Sequence, residues 1–244
     1  MTDGAPPQGQ QLPKRFYKEA SVEKSESGSG YELRLDGRQL KTPGKKLLLV
    51  PSSDLAQLIA SEWTAQVEVI NPATMPVTKI INSSLDGVSG REAEVAADIV
   101  SFAGSDLLCY RAEGPVELVK RQADAWNPVL AWAREAFGAQ FVLAEGVMPV
   151  AQPEDALAAY AEQLKPLSAI ELGAMHVLTT LSGSALLALG LMRGHIDADA
   201  AWAAAHIDED YQIEQWGPDE EAAERRQKRW AEFEAASLVI ANCR

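Results

Sequence analysis

The chain opens in one hydrophobic period and continues in another. Tyr31, Leu33 and Leu35 alternate with polar residues, the period-two mark of a half-buried strand. Asp36-Gly37 follows, then Arg38-Gln39-Leu40-Lys41, which predicts a hairpin because Asp-Gly readily takes the two positive φ values of a type I′ turn. Ser25 to Gly30 reads as a second turn, linking an earlier strand from Phe16 to Val22 with Tyr31. Leu47 to Val50 is a short apolar run closed by Pro51. After Pro51 the period becomes helical. Ser52, Ser53 and Asp54 offer N-caps, Leu55, Ile59, Trp63 and Val67 recur at four-residue steps, and Asn71-Pro72 is the stop. The stretch from Ala73 to Val88 is mixed. Met75 is expected extended before Pro76, Ile80-Ile81 can open a helix, and Asp86-Gly87 and Ser89-Gly90 are turn signals. Beyond Gly90 the pattern predicts helices over 91–102, 116–137, 154–165, 168–181, 184–193, 197–216 and 218–238, with a kink or break at Pro128.

These periods predict an α+β fold. A loose tail, 1–13, precedes a small antiparallel β-rich N-terminal domain over 14–85, and a larger, mainly helical C-terminal domain covers 86–244. From Leu172 to Met192 there are 21 residues without a formal charge, long enough to span a bilayer. Ser182-Gly183-Ser184 interrupts the run, however, and His176, Thr179 and Thr180 add polarity, so two short buried helices meeting at that break are expected, with no stable membrane insertion.

Charge changes the picture. The net charge is −13, from 22 basic and 35 acidic residues, which disfavours nucleic acid and anionic membranes as main partners and permits a basic protein. Residues 1–50 nevertheless carry 9 basic and 6 acidic groups, whereas 197–244 carry 5 basic and 12 acidic ones. Cys109 and Cys243 are too few for a disulfide framework, which makes a reducing compartment the default. The first residues lack the basic and apolar regions of a signal peptide.

Catalytic signatures are missing. The sequence has no G-x-S-x-G elbow and no phosphate loop, and no metal site is expected, since neither His195-Ile196-Asp197-Ala198-Asp199 nor His206-Ile207-Asp208-Glu209 has a recognised ligand spacing. Asp197 and Asp199 suit the start of a helix, and His176 reads as a core histidine. The stretch from Gly194 through Glu224 has no Lys or Arg and ten acids. Placed on one helix over 197–216, Trp202, His206, Glu209, Ile213 and Trp216 share a face, with Ile207, Tyr211 and Glu214 toward the other. A helix apolar on two sides is either buried or bound. Glu209 then either pairs with an Arg from elsewhere in the fold or belongs, with Tyr211 and Trp216, to a partner-binding surface. Arg225, Arg226, Lys228 and Arg229 read as a solvated face of the last helix, with Glu221–Arg225 and Glu224–Lys228 at i,i+4 spacing.

Several blocks, in order, resemble the assembly chaperones of F-type ATP synthase that bind the α subunit of its catalytic head. They are Arg15-Phe16-Tyr17-Lys18, Leu35-Asp36-Gly37-Arg38-Gln39-Leu40-Lys41-Thr42-Pro43, Ala60-Ser61-Glu62-Trp63-Thr64-Ala65-Gln66, Asn71-Pro72-Ala73-Thr74-Met75-Pro76, and Asp208-Glu209-Asp210-Tyr211-Gln212-Ile213-Glu214-Gln215-Trp216-Gly217. Tyr110-Arg111 and Trp126-Asn127-Pro128 fit as well. The resemblance implies a β-rich domain followed by a helical one. It also implies a chaperone that holds unassembled α, shields its β-facing interface and leaves when β docks, with neither cofactor nor metal. With no mitochondrial presequence seen, it implies a bacterial, cytoplasmic member, expected to be monomeric when free. Expected partner contacts are Glu209, Tyr211, Glu214, Trp216 and Asp219, while Trp63, Asp36 and Gly37 are expected to be structural. The alternative is a small-molecule enzyme using His206 and Glu209 as an acid–base pair three residues apart.

Overall fold

The computed structural model describes residues 12–26, 28–146 and 149–243, so most of the tail expected over 1–13 lies outside the described residues. The fold is α+β. Strands β1 (Ala20–Lys24), β2 (Tyr31–Leu35), β3 (Arg38–Gln39) and β4 (Leu49–Val50) form one antiparallel sheet, in which β2 is central and pairs with the other three. Asp36 and Gly37 make the β2–β3 turn with φ of 49° and 77°, both in the left-handed region that a type I′ hairpin demands. The Asp36 carboxylate also accepts from the backbone N–H groups of Lys18 and Glu19, which pins the N-terminal segment to the turn. The first strand starts at Ala20 rather than Phe16, and Phe16 is 72% exposed. In place of a strand, residues 13–15 run beside 68–70, with Arg15 N–H donating to the Glu68 carbonyl.

Helix α1 (Ser53–Thr64) begins at Ser52, whose hydroxyl accepts from Leu55 N–H, and ends before the expected stripe reaches Val67, which is 79% exposed. Its Glu62 carboxylate accepts from Val77 N–H, Thr78 N–H and the Thr78 hydroxyl, capping the next helix, α2 (Pro76–Ser83), from outside. A single wide turn over Ser84–Val88 continues α2. Asp86 within it accepts from the Thr42 hydroxyl and Gly44 N–H, so a residue of an expected turn locks a loop of the sheet to the helices.

Helix α3 (Glu92–Ala103) precedes a short β5 (Tyr110–Arg111), which pairs in parallel with β6 (Ala144–Glu145). Between them lies α4 (Val116–Phe137), a continuous helix through Pro128, so of the kink or break expected there the break does not occur. Proline removes one hydrogen bond, to the carbonyl four residues back, and Asp124 is exposed, so water can serve that carbonyl. Then follow α5 (Glu154–Leu164), α6 (Ala169–Ser182) and α7 (Ala185–Met192). The uncharged run is therefore two helices parted at Gly183, and among the described residues no helix is long and apolar enough to cross a membrane. Gly173 of α6 meets the wide turn so closely that a Cβ there would lie 2.0 Å from the Ser84 hydroxyl oxygen. His176 is not a core residue. Its imidazole is about one-third exposed and meets Asp98 at 2.8 Å.

The last three helices are α8 (Ala198–Ala205), α9 (Ile207–Trp216) and α10 (Glu220–Ala241). One hydrophobic core runs from Leu33 of the sheet to Ile240 of α10. Helix α10 packs on α6 and α2, Lys79 of α2 pairs with Glu232 at 2.8 Å, and the Ser52 hydroxyl donates to the Asn242 carbonyl. The end of the chain is thus fastened to the start of α1.

Candidate functional site

The acid-rich stretch does not form the single helix expected over 197–216. It breaks at His206, and the cause is competition for carbonyls. Trp126 Nε1–H donates to the Ala204 carbonyl at 2.8 Å, and His206 Nδ1–H donates to the Trp202 carbonyl at 2.8 Å. Both carbonyls would otherwise take the next helical N–H groups, so the His206 N–H turns instead to Ala203 and a new helix starts. Trp202 and His206 face inward. They are 8% and 4% exposed, in ring contact with each other, and Trp202 also meets Trp230 and Phe233.

Helix α9, by contrast, has no buried residue. Polar clamps hold it. Gln122 of α4 donates to Asp208 at 2.7 Å, Arg121 pairs with Glu214 at 2.8 Å and lies over the Tyr211 ring at 5.6 Å, and Arg226 of α10 pairs with Asp210. The hydrogen bond from Arg121 holds the Glu214 carboxyl below its ordinary range. Arg226 is therefore not part of a solvated face, and Arg229 donates to the Leu181 carbonyl, while Arg225 keeps its i,i+4 pair with Glu221. Long-range clamps of this kind leave no trace in local spacing, so nothing in the sequence singles out Arg121, Gln122 and Arg226 as site residues.

The clamps separate the expected contact residues onto two flanks of α9. Glu209, Ile213 and Trp216 face a groove of about 680 Å3 between α9 and α10, whose far wall is Ala222, Ala223 and Trp230. Asp219 lies at its end, capping α10 through Ala222 N–H. Trp216 is 79% exposed, although most tryptophans of this size of protein are at least half covered. Tyr211 and Glu214 are on the other flank, against Arg121. Gly217, with φ of 88°, ends α9 and turns the chain into α10.

His206 and Glu209 are not hydrogen-bonded to each other. His206 Nε2 is 4.0 Å from the Glu209 carboxylate, and with the ring proton on Nδ1 both facing atoms are acceptors. Burial lowers the His206 pKa, which favours that neutral form. Among the described residues no group of three or more His, Cys, Asp or Glu is placed to hold a metal.

Trp63 is half-buried, in contact with Tyr17 at 5.6 Å between ring centroids, and its backbone carbonyl accepts from the Tyr17 hydroxyl.

Comparisons with known proteins agree with this architecture. Residues 14–134 match the family described as ATP12 chaperone protein. The fission yeast Schizosaccharomyces pombe protein named "Protein atp12, mitochondrial" is 24% identical over 242 residues, covering 94% of this chain and 82% of its own. Two bacterial crystal structures superpose closely. The Atu1473 protein of Agrobacterium tumefaciens has a TM-score of 0.91 at 49% identity, over 96% of this chain and 87% of that one. Atp12 of Paracoccus denitrificans has a TM-score of 0.88 at 39% identity, over 95% of this chain and 99% of that one. The chain belongs to the ATP12 chaperone family, the ATP synthase assembly chaperones that its sequence blocks resemble.

Proposed function

We propose that the protein binds the unassembled α subunit of the ATP synthase catalytic head and shields its β-facing surface until β replaces it. The observation that carries this reading is Trp216, an exposed indole at the mouth of an apolar groove on the acid-rich helix α9. Aromatic anchors beside apolar pockets with polar rims are what protein interfaces use, and tryptophan is prominent among hot-spot residues. The acids suit a client face that is basic and apolar. Of the ten acids between Gly194 and Glu224, Asp210 and Glu214 are neutralised by Arg226 and Arg121, while Glu209 and Asp219 flank the groove. Such a surface steers an unlike-charged partner without requiring permanent attachment, as a holder that must later leave needs.

Glu209, Trp216 and Asp219 form the contact surface in this reading, and Tyr211 and Glu214 contribute by fixing α9 against Arg121 and presenting its second flank. The chaperone acts as a monomer, without cofactor or metal, in the bacterial cytoplasm. The test is size-exclusion chromatography with light scattering on the chain mixed with isolated α, followed by addition of β. A one-to-one complex that dissolves when β arrives is the expected result. Elution as two separate species at micromolar concentration would sink the proposal.

A further inference from the structure

The opposite end of the charge distribution has a groove of its own. It measures about 510 Å3 and is bounded by Phe16, Leu40, Arg38 and Lys41, with Tyr17 and Leu35 as its floor. Phe16 projects from its rim at 72% exposure, with an edge contact to Tyr17 at 5.4 Å between ring centroids. Two cations, Arg38 and Lys41, line it. Both are exposed, and among the described residues neither side chain has a hydrogen-bond or ion-pair partner. Beside the groove, the Arg15 guanidinium donates to the carbonyls of Tyr17, Lys18 and Gln66 and lies over the Tyr17 ring at 4.7 Å. Asp36, the one acid lining the groove, has its carboxylate turned to the backbone of Lys18 and Glu19. The groove also runs beside β3, which is an edge strand of the sheet. An edge strand offers unpaired backbone groups to an extended chain, and neighbouring pockets take its side chains.

We propose that this groove is a second docking surface, which takes an extended acidic segment carrying an apolar side chain from the same client protein. The proposal rests on the α-subunit reading for the identity of that client. Charge complementarity selects the occupant: the unpaired Arg38 and Lys41 side chains beside an exposed ring call for carboxylates flanking an apolar residue. An anionic membrane fits less well, because a stable surface contact takes clusters of about four to eight basic residues, and the chain as a whole carries −13. The client is thereby held at two places of opposite sign, acidic at α9 and basic at β3.

The experiment measures the affinity of the full-length chain for isolated α subunit at low and at moderate salt, for wild type, Arg38→Glu/Lys41→Glu, Phe16→Ala and Trp216→Ala. All of these side chains are exposed, so the variants keep the fold, and circular dichroism checks this. The charge-reversed variant is expected to bind roughly tenfold more weakly at low salt, with the gap narrowing as salt rises, and Phe16→Ala to bind several-fold more weakly at both. Wild-type affinity in both N-terminal variants, with weakened binding in Trp216→Ala, would overturn this second surface and leave the α9 surface standing. No binding of α by wild type would overturn both readings. Sedimentation with vesicles of phosphatidylcholine and phosphatidylserine separates the remaining source: capture of wild type but not of the charge-reversed variant, with α binding unchanged, would assign the groove to a membrane and overturn the proposal.

Discussion

Trp63 stands among the motif residues, yet its position explains it without a partner. The ring is half-buried between the main core and a smaller cluster of Tyr17, Leu35, Ile70 and Met75. Its Nε1–H is buried with no acceptor, a group whose desolvation is not repaid. Trp63→Phe is therefore expected to unfold within about 0.5 kcal/mol of wild type, whereas Trp63→Ala loses about 2 kcal/mol, less than a fully buried tryptophan would. Urea denaturation of both variants checks the pair. Asp106 is the converse case, a fully buried carboxylate that nothing local in the sequence marks. It accepts from Leu108 N–H and from Leu186 N–H, joining the turn after α3 to the start of α7. Burial outweighs these hydrogen bonds and pushes its pKa up to about 6. A carboxyl raised in the folded state contributes stability below its unfolded pKa, and that contribution is lost as pH rises through about 6. Relative to Asp106→Asn, wild type is thus expected to lose stability between about pH 4 and 6 and to change little above 7. A difference that grows in the opposite direction in parallel denaturation series would contradict the assignment.

Elements governed by local chemistry were readable from their own residues. The Asp36-Gly37 hairpin needs only two adjacent residues that accept positive φ, and the α6–α7 break needs only Gly183 between two serines. The division of 197–216 was not readable, because the residue that claims the Ala204 carbonyl is Trp126, 78 positions away. The periodicity was still sound within each piece: Glu209, Ile213 and Trp216 do share a face of α9, while Trp202 and His206 of the preceding piece are buried. The attachment of α9 was invisible for the same reason, since Arg121 and Glu214 are 93 positions apart. Attached mainly by polar pairs, with only Ile207 packed against the core and no residue fully buried, α9 is expected to open at lower cost than the core helices. Arg121→Ala should change global stability by less than about 1 kcal/mol while speeding amide exchange across 207–216. Exchange in α9 as slow as in α6 would show that it is part of the core unit.

Viewed entire, the molecule joins a basic sheet end to an acidic helical end through one continuous core, fastened where Ser52 meets Asn242 and Lys79 meets Glu232. The fold class and the family were legible in the sequence because they depend on patterns along the chain. The grooves were not, because each is the product of which side chains remain without partners after folding. The most direct test of the central claim is hydrogen exchange of the chaperone, free and bound to isolated α subunit. Protection is predicted in α9 and the first turns of α10, around Glu209, Trp216 and Asp219, with α5 unchanged. Binding of α that leaves exchange across 207–224 unaltered would contradict the account and move the client to another face.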